Sequence, residues 1–305
     1  VTDLVVTLLN GVAYGLLLFM VAAGLTVVFG MMGILNFAHA AFYMVGAYVG
    51  FLTTLHAGFW FGLVTAPLAV AALGLLVERQ LLARVRSRGH AQELLLTFGL
   101  AFVITEIIKI VFGQFPVAYT TPEALRFIAF HIGPVGYPFA RVFVALVSGG
   151  MFLAIFLLLR FTRIGLVVRA ASENPQMTAS LGHNVPLVFS GLFAFSSALA
   201  GLGGAIGGAL YSTSPDMAGE LAIIVFIIVV VGGLGSLMGA FIGAIGIGVA
   251  TSLAISSDAT LGDLLSRLSV PYPDVPPLDI PFSSTASVMP YIIMLVVLAM
   301  SKRRG

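Results

Sequence analysis

The 305-residue chain contains no cysteine, one tryptophan and two lysines, and only 9% of its residues are charged. Without cysteine there are no disulfides, no thiol chemistry and no cysteine-bound metal. The shortage of charge excludes more. A soluble domain carries about 25% Asp, Glu, Lys and Arg, so this chain lacks the polar surface that a water-soluble globule needs. Its net charge of +2 is too small to argue for nucleic acid as a partner. No stretch reads G-x-x-x-x-G-K-[ST], and neither Lys109 nor Lys302 follows a glycine, so no Walker phosphate loop is expected here. His56, His90, His131 and His183 are scattered without paired ligand spacing, and no metal or cofactor site is expected. The opening "VTDLVVTLLN" has Asp3 where a secretory signal would place basic residues, so no signal peptide is expected.

What the chain has is apolar length: 60% of it is hydrophobic. A helix needs roughly 20 apolar residues to cross the hydrocarbon core. Runs that suit a crossing lie near 4–29, 38–55, 60–77, 93–112, 139–159, 187–210, 221–233, 237–256 and 286–301, and the seventh is short. The expected fold is all-α: a single polytopic transmembrane bundle over 1–305, with eight or nine spans and some broken or short helices. Basic residues gather at cytoplasmic loops. Arg79, Arg84, Arg86 and Arg88, then Arg160, Arg163 and Arg169, then Lys302, Arg303 and Arg304 share one side only if the N-terminus is outside and the C-terminus inside. The segment 160–186 is then cytoplasmic, and 113–138 and 256–285 are outer loops. The first outer loop holds Pro116, Pro122, Pro134 and Pro138 and reads as an ordered but largely irregular cap. In the second, Leu261, Leu264, Leu265 and Leu268 have helical spacing, before a proline-rich stretch.

In lipid, helices associate through close approach of small residues. Small-xxx-small spacing recurs at Gly11/Gly15, Gly46/Gly50, Gly203/Gly207, Gly204/Gly208 and Gly235/Gly239/Gly243. The runs at 201–208 and 232–248 have dinucleotide-like glycines, but the spacing is wrong and no soluble strand precedes them, so they are read as packing. Consecutive glycines in "VGGLGS" (231–236) predict a break between two helices.

Three polar features interrupt this background. Asn36 and His39 stand in "GILNFAHAAFYMVGAY" (33–48), where Asn36 is placed to cap a helix starting near Phe37. Such breaks line substrate paths in transporters; a cap and packing contact near the cytoplasmic boundary explains the pair equally well. Glu106 and Lys109, three apart in one apolar span, read as an intramembrane ion pair, with a proton relay through Glu106 as the alternative. In "RFTRIGLVVRAASENPQMTASLGHNVP" (160–186), Asn174 suits an N-cap, Pro175 the first turn and Gly182 the position past the end. The predicted helix, 175–181, presents Met177 and Leu181 on one face, either flat against the membrane surface or as a peg for another subunit.

"GLTVVFGMMGILNFAHAAFYMVGAY" (24–48), "RAASENPQMTASLGHN" (169–184) and "VVVGGLGSLMGAFIGAIGIG" (229–248), in that order, resemble the permease subunits of branched-chain amino-acid ABC importers, the LivH/LivM type, and most closely the LivH side. The resemblance spans essentially the whole chain. It implies a non-catalytic permease of the bacterial inner membrane, with ATP handled by two partner ATPase subunits. It also implies a second permease, identical or a paralogue, and a substrate-binding protein outside. By the same resemblance, Glu173, Asn174, Pro175, Met177, Leu181 and Gly182 belong to a coupling helix that docks on the ATPase, and Asn36 and His39 to the path or inner gate. Two departures are Ala40, where the family usually has glycine, and Ala170 and Ala171 ahead of Glu173. Rival readings are the same machinery carrying urea, short amides or aromatic acids, and a stand-alone carrier or channel using Glu106.

Overall fold

The computed structural model describes residues 2–260, 263 and 281–301. Leu261, Leu264, Leu265 and Leu268 of the predicted leucine-spaced helix and the terminal Lys302, Arg303 and Arg304 lie outside the described residues. Eight described helices are long and apolar enough to cross a bilayer, and one shorter apolar helix accompanies them.

The bundle is built around α1 (Thr2–Met32), whose residues from Gly15 to Val28 are all buried. A helix apolar on every side must be surrounded by other helices, and α1 is. Its neighbours are α8 (Val185–Leu210), α10 (Leu237–Ile255), α5 (Phe139–Phe161) and α9 (Met217–Val231). Small residues set how closely they approach: a methyl on Gly15 would fall 2.6 Å from the Ile245 Cα of α10. On the other side of α8 lie α2 (His39–Ala57) and α3 (Phe59–Val77), with α4 (His90–Phe112) against α2. The last helix, α11 (Met289–Ser301), packs on α9 and α10.

At one end, called here the basic end, α3 continues through a π-helical turn, Glu78–Leu82, towards Arg88. The same end carries α6 (Arg163–Glu173) and α7 (Pro175–Ser180). α7 is the helix that Asn174, Pro175 and Gly182 predict, whereas α6 is a separate, unpredicted helix capped by Thr162, which accepts from Gly165 N at 3.1 Å.

The opposite end, the cap end, is less irregular than its prolines imply. Ile128–Ile132 (β1) and Val135–Pro138 (β2) form an antiparallel hairpin. Its two-residue turn is Gly133-Pro134, with Gly133 at φ +59. A glycine with positive φ at the first turn position matches the twist of paired strands, and that outweighs the breaking tendency of the prolines. Burial pushes the phenols of Tyr119 and Tyr137 above their ordinary pKa, so both are neutral hydroxyls in the cap.

Candidate functional site: a broken helix beside an aromatic cavity

Between α1 and α2 the chain unwinds. Gly33 takes φ +68 at the end of α1, and the next five residues run back along α1. His39 Nε2 meets the Val21 carbonyl at 2.9 Å. Val21 lies 11 residues before the end of α1, about 16 Å along its axis, so α2 begins deep within the bundle. Non-helical backbone at membrane depth survives only where protein or a polar cavity surrounds it. Here Thr97 of α4 supplies the polar partners: its hydroxyl accepts from Phe37 N at 3.3 Å and donates to the Leu94 carbonyl at 3.1 Å.

Two expectations change at this point. Asn36 Oδ1 accepts from Ala38 N at 3.1 Å, closing a two-residue turn, so α2 starts at His39 and not at Phe37. The side chain is spent on that turn, and the cap position, Ala38, has no side-chain hydrogen bond. The pair also sits at depth, not at a cytoplasmic boundary. Asn36 and His39 are 3% and 1% exposed and border a space of about 10 Å³, close to the minimum for one water.

Phe37, Ala222 and Phe226 wall that space from a larger cavity of about 400 Å³, between the start of α2, α4 and α9. Phe37 stacks on Phe226 with centroids 6.1 Å apart and meets Phe98 edge-on at 6.2 Å. Phe98 packs edge-on against Phe102 at 4.9 Å. These rings form the floor. Further along α4, at helical spacing from Phe98 and Phe102, stand Glu106 and Lys109, and Asp216 joins them from the start of α9. Lys109 Nζ donates to Glu106 Oε1 at 3.1 Å. From Phe98 to Lys109 is about 16 Å of helix. The result is an apolar aromatic floor with mixed charge at the cap end, in the size range of small-molecule sites.

At the basic end, Asn174 Oδ1 accepts from Met177 N at 2.9 Å, and Pro175 occupies the first turn of α7. The helix stops at Ser180, one residue early, because Leu181 becomes the cap and Gly182 turns at φ +91. Gly182 N and His183 N then bond the Ala179 and Thr178 carbonyls at 2.9 and 3.2 Å, a Schellman closure. Glu173 is exposed, and Met177 and Leu181 are 61% and 73% exposed. Asn184 caps α8 by accepting from Leu187 N at 3.1 Å. One turn on, Ser190 donates to the buried Glu78 carboxylate, which also pairs with Arg86 at 2.9 Å. The stretch leaving α7 is thereby tied to the π-helical end of α3.

Residues 7–298 match the family model described as the branched-chain amino acid transport system, permease component. The chain belongs to that family. It is 28% identical to the high-affinity branched-chain amino acid transport system permease protein LivH of Escherichia coli K12, over 80% of this chain and 84% of that protein. Identity to the high-affinity branched-chain amino acid transport system permease protein BraD of Pseudomonas aeruginosa is also 28%, over 80% of this chain and 83% of that protein. A probable branched-chain amino acid transport permease LivH from Methanocaldococcus jannaschii is 27% identical, over 80% and 79%. The chain is thus a multi-pass membrane permease of this family.

Of the glycines singled out, Gly207, Gly235 and Gly239 occupy close approaches: a methyl would overlap Tyr43 Oη at Gly207 and the Gly232 carbonyl at Gly239, and would fall 2.7 Å from Gly30 Cα at Gly235. Gly203 and Gly243 have ordinary contacts at 3.5 Å; in the first run Gly204 and Gly208 are tight besides Gly207, against the Tyr43 carbonyl and the Thr213 hydroxyl. The aromatic floor, Asp216, Thr97 and the Glu78 cluster escaped sequence reasoning. One signal was legible: Phe98, Phe102, Glu106 and Lys109 repeat at spacings of four, four and three, a single stripe on α4.

Proposed function

We propose that this chain is the permease subunit of a binding-protein-dependent ABC importer for branched-chain amino acids in a bacterial inner membrane. The cap end faces outward, the N-terminus with it, and the basic end faces the cytoplasm. The observation that carries the reading is the α4–α9 cavity: apolar and aromatic at its floor, charged at its outer rim, and adjoining an unwound segment. An aliphatic side chain suits the floor, and a zwitterionic backbone suits the rim. Urea and short amides offer neither the apolar bulk nor the charges. A stand-alone carrier using Glu106 would need that carboxylate as its proton relay, and it is paired to Lys109 at 3.1 Å.

In this reading the protein makes and breaks no covalent bond. Substrate released by the binding protein enters from the cap end and rests above Phe37, Phe98 and Phe226. A second permease, identical or a paralogue, closes the open side. ATP binding on two partner subunits moves α7, with Met177 and Leu181 as its contact face. The tie from Ser190 through Glu78 to Arg86 carries that movement into α3. Rearrangement of the 33–38 segment then withdraws Phe37 and opens the floor inward.

The test is extraction of the tagged chain in mild detergent, with identification of what elutes in stoichiometric amount. A second permease and ATPase subunits should copurify, and deleting 175–181 should release the ATPases alone. Elution of the chain by itself, with uptake in liposomes lacking ATP, would overturn the reading.

A further inference from the structure

The charges at the rim are arranged asymmetrically. Lys109 and Glu106 already form an ion pair, with side chains 29% and 61% exposed. Asp216 takes part in no ion pair among the described residues and caps no backbone N–H of α9. All three border one cavity of about 400 Å³ whose other walls are mainly aromatic and aliphatic. Asp216 is exposed at the start of α9, where the helix N-terminus keeps a carboxylate charged, so it stands at the cavity rim open to a cationic partner.

We propose that Lys109, Glu106 and Asp216 form a charge-exchange station that recognises the zwitterion of an apolar α-amino acid. The inference rests on the importer reading and assigns residues within it. In the empty cavity Glu106 neutralises Lys109. When substrate enters, its α-carboxylate takes the place of Glu106 on Lys109, and its α-ammonium is met by Asp216. The side chain points down the α4 stripe towards Phe102 and Phe98, where apolar burial supplies the remaining discrimination. Glu106 can be displaced because it is the more exposed partner of the pair, near the outer end of α4. Recognition of both backbone charges also rejects the corresponding amine and carboxylic acid, since each leaves one rim charge unmatched.

The experiment uses the full transporter, copurified with its ATPases and supplied with its binding protein, in proteoliposomes. Uptake of radiolabelled leucine and ATP hydrolysis stimulated by the loaded binding protein are measured together. Lys109→Met combined with Glu106→Gln removes the ion pair without leaving an unmatched charge. It is expected to lower leucine uptake by about tenfold to a hundredfold, the effect of losing a charged hydrogen bond, with ATP hydrolysis close to that of the natural protein. Asp216→Asn should act likewise, and Lys109→Arg and Asp216→Glu should retain most of the uptake. Natural rates of uptake in the double variant would reduce Lys109 and Glu106 to a structural pair and overturn the proposal. So would a parallel fall of uptake and ATP hydrolysis in both neutralising variants, which marks damage to the assembly and not to recognition. Failure of the importer reading looks different: the natural protein itself would then show no ATP-dependent leucine uptake.

Discussion

The two helix interruptions flanking α1 solve the same problem in opposite ways. At Gly232–Ser236 the chain turns with Gly233 and Gly235 at φ +88 and +85, and Gly235 lies directly on Gly30 of α1. Ser236 then caps α10 by accepting from Gly239 N at 3.1 Å. Nothing there needs a partner from a third helix, and the break is fixed by backbone contact. At Gly33–Ala38 the break is held by side chains from three elements: Asn36 within the turn, Thr97 from α4, and His39 reaching Val21 of α1. Hydrogen bonds of that kind contribute about 1 kcal/mol each and can be exchanged, whereas a glycine packed on a glycine has no alternative position. In the proposed cycle the first interruption is the fixed joint and the second is the one that moves, with Phe37 of that segment in the cavity floor.

The largest effect should come from breaking the fixed joint. Gly235→Val places a branched side chain at positive φ against Gly30, and should cost about 3 kcal/mol or more in strain and overpacking. Thermal aggregation in detergent should show the loss, together with a fall in the amount of assembled complex. His39→Ala removes a buried partner of Val21 and leaves a void, at about 2 kcal/mol. Here uptake should fall further than stability does, which a paired thermal-shift and leucine-uptake measurement would separate. Thr97→Val should cost only about 1 kcal/mol, yet loosen the clamp on Phe37; leucine preloaded into proteoliposomes should leak faster without ATP. The smallest effect on stability belongs to Met177→Ala with Leu181→Ala, both exposed, at about 0.5 kcal/mol or less. That variant sharpens the comparison, because a stable bundle that no longer retains ATPase subunits isolates the contact face from the gate.

Much of this architecture was legible in the residues, and the limits were physical. Span positions follow from apolar length, and Asn174, Pro175 and Gly182 mark α7 because capping is local chemistry. The break at "VGGLGS" was equally local. By contrast, the partners of the Gly33–Ala38 segment lie far away in sequence: Thr97 is 60 residues from Phe37, and Val21 is 18 residues from His39 on another helix. No periodicity reports such pairings. The same holds for Glu78, which looks like one more charge in a basic loop until Ser190, 112 residues on, is placed against it. The hairpin at 128–138 was missed for a different reason, since Gly133-Pro134 was weighed for its proline and not for its glycine.

The central claim is that the space above Phe37 is a substrate path open towards the cap end, and the absence of cysteine makes it directly testable. Ala222 borders both that cavity and the small space beyond it, so Ala222→Cys gives this chain one thiol at the cavity floor, with the unsubstituted assembly as the labelling control. In the assembled transporter without nucleotide, a membrane-impermeant maleimide should label it from the cap side only, and leucine-loaded binding protein should slow that labelling. Labelling from neither side in any nucleotide state, or at a rate that substrate does not change, would contradict the account.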